Sequence, residues 1–379
     1  MTEKLALSEF MYETVAIGAA NQLPVSSVCN AKCLFCSNRM NPFPIRRIGF
    51  RAMDDVRKGI ALLSADGRAE IRIGDSLPGR ISEGEALLHP EILTILKWIR
   101  NKAPGRTIQV NTNGILLTQD FIGKLVDYKP MKFTISYHSD NKENWCRIFN
   151  LREEHYRIAR NAFFQLRMKE FMVEAALVPL PRLVGYEDLE NTLKALRCYT
   201  NKIIVYPPGF SRIADDGLVD ILDTDYRELS SFFSGMRRKY HLDIDLHADP
   251  FKPIDFNPFQ FMQRSFHRKF KHVLWMFSEA AYGRAKKILE AHLPFVPNDH
   301  YGVKVKNRTY GGNIVAAGLL MVDDFERALK GALRKFQRRN VRIDLIVLPQ
   351  VAFDRYGDDL TGRSHAELSE KYGLPVWLG

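Results

Sequence analysis

The chain has 379 residues, enough for two domains or for one large barrel with an appendage. Hydrophobic residues make up 46%, which supplies a sizeable core and excludes wholesale disorder. The net charge of +11 points to polyanionic partners without specifying one: nucleic acid, an acidic protein and an acidic electron donor all fit.

The chain opens on Met1-Thr2-Glu3-Lys4, which lacks the basic-then-apolar order of a signal peptide. The most apolar run, Ile314 to Val322, is too short to span a bilayer and is interrupted by Gly318. Both observations predict a cytoplasmic protein with no membrane partner. Residues 1–20 read as a helical lead-in, with Phe10, Met11 and Val15 as core contacts.

Leu23 to Val28 reads as a short strand that delivers the run Val28-Cys29-Asn30-Ala31-Lys32-Cys33-Leu34-Phe35-Cys36. Three of the five cysteines fall inside it. A thiolate trio this tight can hold three irons of a [4Fe–4S] cube and leave the fourth open to a substrate. Structural zinc is the rival reading, but zinc wants four closed ligands, and Cys146 and Cys198 stand alone and far away. A disulfide is the weaker rival, since clustered cysteines without a secretory signal read as metal or redox chemistry.

Asn41-Pro42-Phe43-Pro44 forces an irregular segment, and Asp54 to Leu63 has helical spacing. Strands and helices then alternate. Strands are predicted at 69–74, 107–111, 131–137, 171–178 and 202–206, with helices at 90–100, 120–128, 153–167 and 186–198 between them. With the first strand this makes six strands with intervening helices, which implies parallel βα units with right-handed crossovers. In such folds function sits where strands end. The cysteine loop follows the first strand, and Ser82-Glu83-Gly84-Glu85 the second. Asn111-Thr112-Asn113-Gly114 follows the third, and Ser136-Tyr137-His138-Ser139-Asp140 the fourth. His89-Pro90 starts a helix and has a structural role.

These residues resemble the radical S-adenosylmethionine (SAM) superfamily. The cysteine spacing carries the resemblance, and Phe35 fits the aromatic residue usual before the third cysteine. The resemblance implies an α/β fold built on a partial (β/α)6 barrel. It assigns Cys29, Cys33 and Cys36 to a [4Fe–4S] cluster whose open iron binds SAM. Reductive cleavage of SAM then yields a 5′-deoxyadenosyl radical. Gly84 and Glu85 match the end of the glycine-glycine-glutamate segment that meets the methionyl amine, with Glu83 in place of the first glycine. Asn111 and Asn113 match a turn beside the cofactor, Ser136 the ribose position, and Leu177 and Val178 the adenine flank. His138, Asp140 and Cys146 are the weak candidates for a proton or hydrogen donor. Helix capping and packing are the favoured reading for them. The implied partners are a one-electron donor of ferredoxin or flavodoxin type and an unknown substrate, macromolecular or anionic.

Beyond Leu222 the rhythm weakens. The expected domains are 1–20 lead-in, 21–222 barrel, 223–256 barrel-closing helix and linker, and 257–379 C-terminal α/β domain. Asp249-Pro250 marks the boundary. Phe259 to Trp275 mixes aromatics and cations and reads as a helix with one buried face, the rival being a base-stacking surface. Gly312 to Leu320 is predicted as strand and turn, Asp323 to Gln337 as an amphipathic helix, Ile343 to Leu348 as a strand, Ser364 to Tyr372 as a helix and Pro375 to Leu378 as a final strand. The order Gly-Asn-Ile-Val, Gly-Leu-Leu, Asp-Asp, Val-Leu-Pro, Asp-Asp-Leu-Thr resembles the module called domain of unknown function 512, which follows a radical SAM core in one family. The alternative of another class is a nucleic-acid-binding protein whose Fe–S or zinc site is structural.

Overall fold

The computed structural model describes residues 21–43, 46–64, 70–75, 81–200, 202–247, 257–354 and 356–379. The lead-in at 1–20, Pro44 and the Asp249-Pro250 boundary lie outside them. The chain divides into two compact units, 1–249 and 250–379.

The first unit is built on seven parallel strands that neighbour one another in chain order. They are β1 (Gln22–Leu23), β2 (Ile71–Ile73), β3 (Ile108–Thr112), β4 (Met131–Ser136), β5 (Met172–Leu177), β6 (Lys202–Val205) and β7 (Ile244–Leu246). Five of the six expected strands lie near their expected bounds; the first, expected from Leu23 to Val28, is only the two-residue β1, and β7 extends the sheet by one. Between them run α1 (Met53–Leu62), α2 (Ile92–Lys102), α3 (Gln119–Leu125), α4 (Lys142–Phe149), α5 (Glu153–Met168) and α6 (Pro181–Leu196). α7 (Asp216–Leu222) and α8 (Tyr226–Tyr240) separate β6 from β7. A two-residue parallel pair, Arg46–Arg47 with Ile81–Ser82, stands beside the main sheet.

Strand alternation gives the sheet two unlike faces. Ile71, Ile73, Ile108, Val110, Phe133, Ile135, Val173, Ala175, Ile203 and Val205 are buried in the core shared with the helices. The helices answer with the spacing of one face: Ile92, Ile95, Leu96 and Ile99 on α2, and Ala159, Ala162, Phe163 and Leu166 on α5. Several of the intervening strand residues are polar and pair across the sheet. Gln109 Nε2 donates to Thr134 Oγ1 (3.0 Å), and Lys132 Nζ lies 2.7 Å from Glu70 and 3.4 Å from Glu174. Helix starts are capped by side-chain oxygens: Thr118 accepts from Phe121 N–H, Asn141 from Asn144 N–H and Asp225 from Glu228 N–H.

The second unit holds α9 (Phe259–His267), β8 (His272–Ser278), α10 (Glu279–His292), β9 (Asp299–Val305), α11 (Val322–Gln337), β10 (Leu345–Leu348), α12 (Ala366–Tyr372) and β11 (Val376–Leu378). Its sheet is parallel, in the order β9-β8-β10-β11. Val273, Trp275 and Phe277 of β8 pack with Ala285 and Leu289 of α10, while Leu274 and Met276 pack with Phe325 and Leu329 of α11. α10 and α11 therefore cover opposite faces.

Two expectations fail here. Phe259 to Trp275 is not one helix: the helix ends at His267, and Trp275 belongs to β8. β8 is buried on both faces, so its apolar run shows no period-two signal. Gly312 to Leu320 forms turns and a 3₁₀ turn at Ala317–Leu319, not a strand. Among the described residues no helix is long and apolar enough to cross a membrane.

Candidate functional site

The cysteine loop is held from three sides. From below, Glu83 Oε1 accepts from the backbone N–H of Val25 (2.7 Å) and of Ser26 (3.2 Å). The next residues continue this contact along the backbone: Gly84 N–H donates to Ser26 O (2.7 Å) and Glu85 N–H to Val28 O (2.8 Å). Asn38 Nδ2 donates to Glu83 O (2.8 Å). A Cβ on Gly84 would stand 2.3 Å from Val28 O, so only glycine permits this approach. From α4, Phe149 O accepts from Lys32 N–H (3.2 Å) and Ile148 O from Leu34 N–H (3.0 Å). From the turn after β3, Asn113 Nδ2 donates to Asn30 Oδ1 (2.7 Å).

Above this frame lies a cavity of about 370 Å³. Cys29, Cys33 and Cys36 all line it, with Phe35, Gly84, Glu85, Asn111, Asn113 and Ser136. Four loops that are remote in sequence thus meet at the carboxyl ends of the strands, as that end of an α/β barrel requires. The thiols feel one another. Burial pushes the Cys33 thiol up, and the neighbouring Cys36 and Cys29 add to the rise. Burial also raises Cys29, with Glu85 and Cys36 contributing. The raised thiols of Cys29 and Cys33 fit a cationic group bound at the same cavity, which would reverse that balance and hold them as thiolates. Among the described residues no three His, Cys, Asp or Glu side chains stand ready as ligands of a metal ion. What the three thiols share is one cavity.

Glu85 is fully committed within the protein. Oε1 accepts from Thr112 Oγ1 (2.8 Å) and Leu87 N–H (3.3 Å), and Oε2 from Asn113 N–H (2.8 Å). Burial lifts its pKa to about 7 against those donors. Its carboxylate borders the cavity and also fixes the turn that carries Asn113. Glu83, absent from the expected pattern as a glycine, is a buried strut with a pKa raised to about 8, chiefly by burial. Asn111 donates to Asp75 and accepts from Gln109 Nε2 (3.2 Å).

Other candidates do not reach the cavity wall. Leu177 is buried in the apolar core, and Val178 N–H donates to His138 Nδ1 (2.9 Å). His138 stacks on Phe149 at 4.9 Å and meets the edge of Phe35 at 4.4 Å. It is buried, its pKa falls to about 3, and it supports the loop from within. Asp140 accepts from Tyr137 Oη (2.8 Å) and Arg160 Nε (3.1 Å). Cys146 lies beside Glu153, Glu143 and Lys142. His138, Asp140 and Cys146 thus each have different neighbours. Arg51, which follows the cysteine loop in sequence, is buried and donates to Pro24 O (3.1 Å). Arg39 lines the cavity, and the side chains of Arg46 and Arg47 lie outside the described part. His89 Nε2 lies 2.9 Å from Arg51 O and Nδ1 accepts from Glu91 N–H, the structural role expected of it.

Asp75, Asn30 and Thr112 were missed. Asp75 lies two residues past the end of β2, at the end of the sheet where function is expected. Burial raises its pKa against the pull of Arg72, Gln22 and Asn111. Asn30 and Thr112 gave no signal, because their partners are 83 and 27 residues away.

Comparison with known proteins adds the following. The profile of the family described as the Radical SAM superfamily matches residues 23–196. A GTP 3′,8-cyclase of Klebsiella pneumoniae subsp. pneumoniae is 30% identical over 100 residues, covering 26% of this chain and 28% of that protein. A GTP 3′,8-cyclase of Mannheimia succiniciproducens is 25% identical over 99 residues, covering 26% and 27%. The matched part is therefore under a third of these relatives' length. Among solved structures, Streptococcus suis SuiB bound to S-adenosylmethionine superposes with a TM-score of 0.46 at 11% identity, covering 81% of this chain and 64% of that one. A radical SAM methyltransferase from Sphaerobacter thermophilus gives 0.40 at 15%, covering 59% and 64%.

Proposed function

We propose, from the match of residues 23–196 to the Radical SAM superfamily, that the chain is an enzyme that cleaves SAM reductively and acts on an anionic or macromolecular substrate. The family implies a [4Fe–4S] cluster and SAM. One observation carries the reading: Cys29, Cys33 and Cys36 line a single cavity with Gly84, Asn111, Asn113 and Ser136. The three thiolates would hold three irons and leave one for SAM. When bound, the cluster supplies the electron that splits the sulfonium and releases a 5′-deoxyadenosyl radical. The protein's own part is positional. Glu83 and Gly84 set the height of the cysteine loop, and Asn113 ties that loop to β3. Glu85 sets the turn that presents Asn113, and it offers carboxylate charge to an ammonium at the cavity edge.

The electron donor in this reading is a small acidic protein of ferredoxin or flavodoxin type, supported by the net charge. An anionic substrate is supported by the same charge and by Arg39 in the cavity wall. The curated relatives are named for GTP, also an anion. For the C-terminal unit we infer kinship with domain of unknown function 512, on the motif order along 312–361.

Anaerobic reconstitution tests the core of the proposal. The chain should bind about four irons, and the EPR spectrum of the reduced protein should change on adding SAM. A colourless protein with one tight zinc overturns it. So does salt-dependent RNA binding without SAM cleavage, which favours a structural metal site.

A further inference from the structure

Among the described residues β9 (Asp299–Val305) is an edge strand, with β8 as its one strand neighbour. α10 and α11 cover opposite faces of the sheet, and both reach β9. Between them a cavity of about 500 Å³ follows the strand from His300 to Lys304. Three features of this cavity point to a ligand.

The first is charge. Lys286, Lys304, Lys335 and Arg339 line the cavity against one acid, Glu290, which lies 3.3 Å from Lys286. Lys304, Lys335 and Arg339 have no ion pair among the described residues. The second is His300, which is only 6% exposed. Its Nδ1 accepts the indole N–H of Trp275 (2.9 Å), so the neutral ring carries its proton on Nε2. That buried N–H has no hydrogen-bond partner among the described residues, and a buried donor left unmet is unfavourable. Burial holds the ring pKa down to about 4, so His300 is a neutral donor. The third is Gly302. A Cβ there would stand 3.3 Å from the Phe277 ring and 3.7 Å from Lys286 Cγ. Glycine keeps the middle of the groove open.

We propose that the β9 edge is the docking site for an extended acidic peptide segment of a partner protein, which adds to the sheet as a strand and sets its carboxylates against Lys304, Lys335 and Arg339. An edge strand offers a row of backbone donors and acceptors that such a segment satisfies along its length. A compact anion would use only one end of a cavity that follows the strand. Edge lysines also discourage pairing between sheets. That role alone requires neither a cavity nor a buried unpaired N–H. The proposal does not depend on the chemistry at the cysteine cavity.

The test uses fluorescence anisotropy with the full chain and a labelled octapeptide of alternating glutamate and valine. The comparison probes are a lysine–valine octapeptide, the acidic peptide N-methylated at alternate residues, and an RNA octamer. The acidic peptide should bind at least about tenfold more tightly than all three. The double variant Lys335→Glu/Arg339→Glu should weaken it by about tenfold or more and leave peptide-free SAM cleavage unchanged. Gly302→Val, which fills the groove, should weaken it as well. Because that change risks the fold, the exposed charge variants carry the decision. Equal binding of the N-methylated peptide or of RNA would reduce the site to a general polyanion patch and overturn the proposal. So would an unaltered affinity in the charge variant.

Discussion

At Gly84 a single hydrogen atom separates a working loop from a collision. An alanine methyl would lie 2.3 Å from a backbone carbonyl, and neither strand nor loop can yield without breaking the Gly84–Ser26 and Glu85–Val28 hydrogen bonds. Gly84→Ala should therefore cost about 3 kcal/mol and lower iron uptake on reconstitution. Thermal unfolding and iron assay together check this, and a variant with full iron content and an unshifted melting point would remove Gly84 from the frame. Glu83 is a different kind of strut, since its contribution depends on pH. Its folded pKa is raised from 4.5 to about 8. A carboxyl raised on folding stabilises below its unfolded pKa, and that stability is lost as pH rises through the folded value. The cluster-free protein should thus lose stability between about pH 4.5 and 8, and Glu83→Gln should flatten that slope while keeping an oxygen for Val25 and Ser26. Denaturant midpoints across this range decide it; a slope unchanged by Glu83→Gln would show that the proton resides elsewhere. Glu85→Ala removes three accepted hydrogen bonds as well as a charge at the cavity edge. It should weaken SAM binding and keep the cluster, with a stability loss of about 2–4 kcal/mol. Isothermal titration with SAM against unchanged affinity is the check.

The elements differ in how plainly the sequence announces them. α2, α5 and α11 were legible because each buries one face at helical spacing, and their ends match the residues that show that spacing. The first four strands of the first sheet were legible because each is followed by a loop with marked residues, whereas the three-residue β7 carried no such mark. β8 was not, since burial on both faces removes the alternation that distinguishes a half-exposed strand. β9 was missed for another reason: Gly302 and Lys304 interrupt its apolar pattern where the sheet edge meets the groove. The site was legible as a set of loops and not as a set of contacts. Spacing placed Cys29, Cys33 and Cys36 together, yet could not show that Glu85 spends its oxygens on Thr112 and Asn113, 27 and 28 residues away. The unit formed by the cysteine loop and α4 carries its own expectation. Phe35 and His138 make a T-shaped contact, and His138 stacks on Phe149, so one layer of rings joins loop to helix. Phe35→Ala should loosen the loop from α4, at a cost of about 2–4 kcal/mol reduced by its partial exposure. Limited proteolysis near Lys32 should accelerate while the sheet's far-ultraviolet signal persists; equal cleavage rates would show that the two backbone bonds from α4 suffice.

For the molecule as a whole, the net charge of +11 is a statement about encounter and not about fold. An acidic donor and an anionic substrate would both be steered by it, so a salt effect on the complete reaction cannot tell them apart. Driving SAM cleavage with a small chemical reductant removes the donor from the comparison. Substrate stimulation by a polyanion should then fall as ionic strength rises from about 0.01 M to 0.15 M, where the screening length shrinks from about 30 Å to about 8 Å. Stimulation by a neutral compound should be indifferent to the same change. Arg39 lines the cavity, so Arg39→Glu should depress stimulation by the anion most strongly at low salt, where an unscreened charge counts most. The double variant at Lys335 and Arg339 separates recruitment from chemistry. If acidic segments dock on the second unit, it should raise the concentration of macromolecular substrate needed for half-stimulation and leave the maximal rate near wild type. A small anionic substrate, which has no segment to dock, should show no such shift. A salt-independent stimulation by a small neutral molecule, unaltered in Arg39→Glu, would place the positive charge in the service of the electron donor alone.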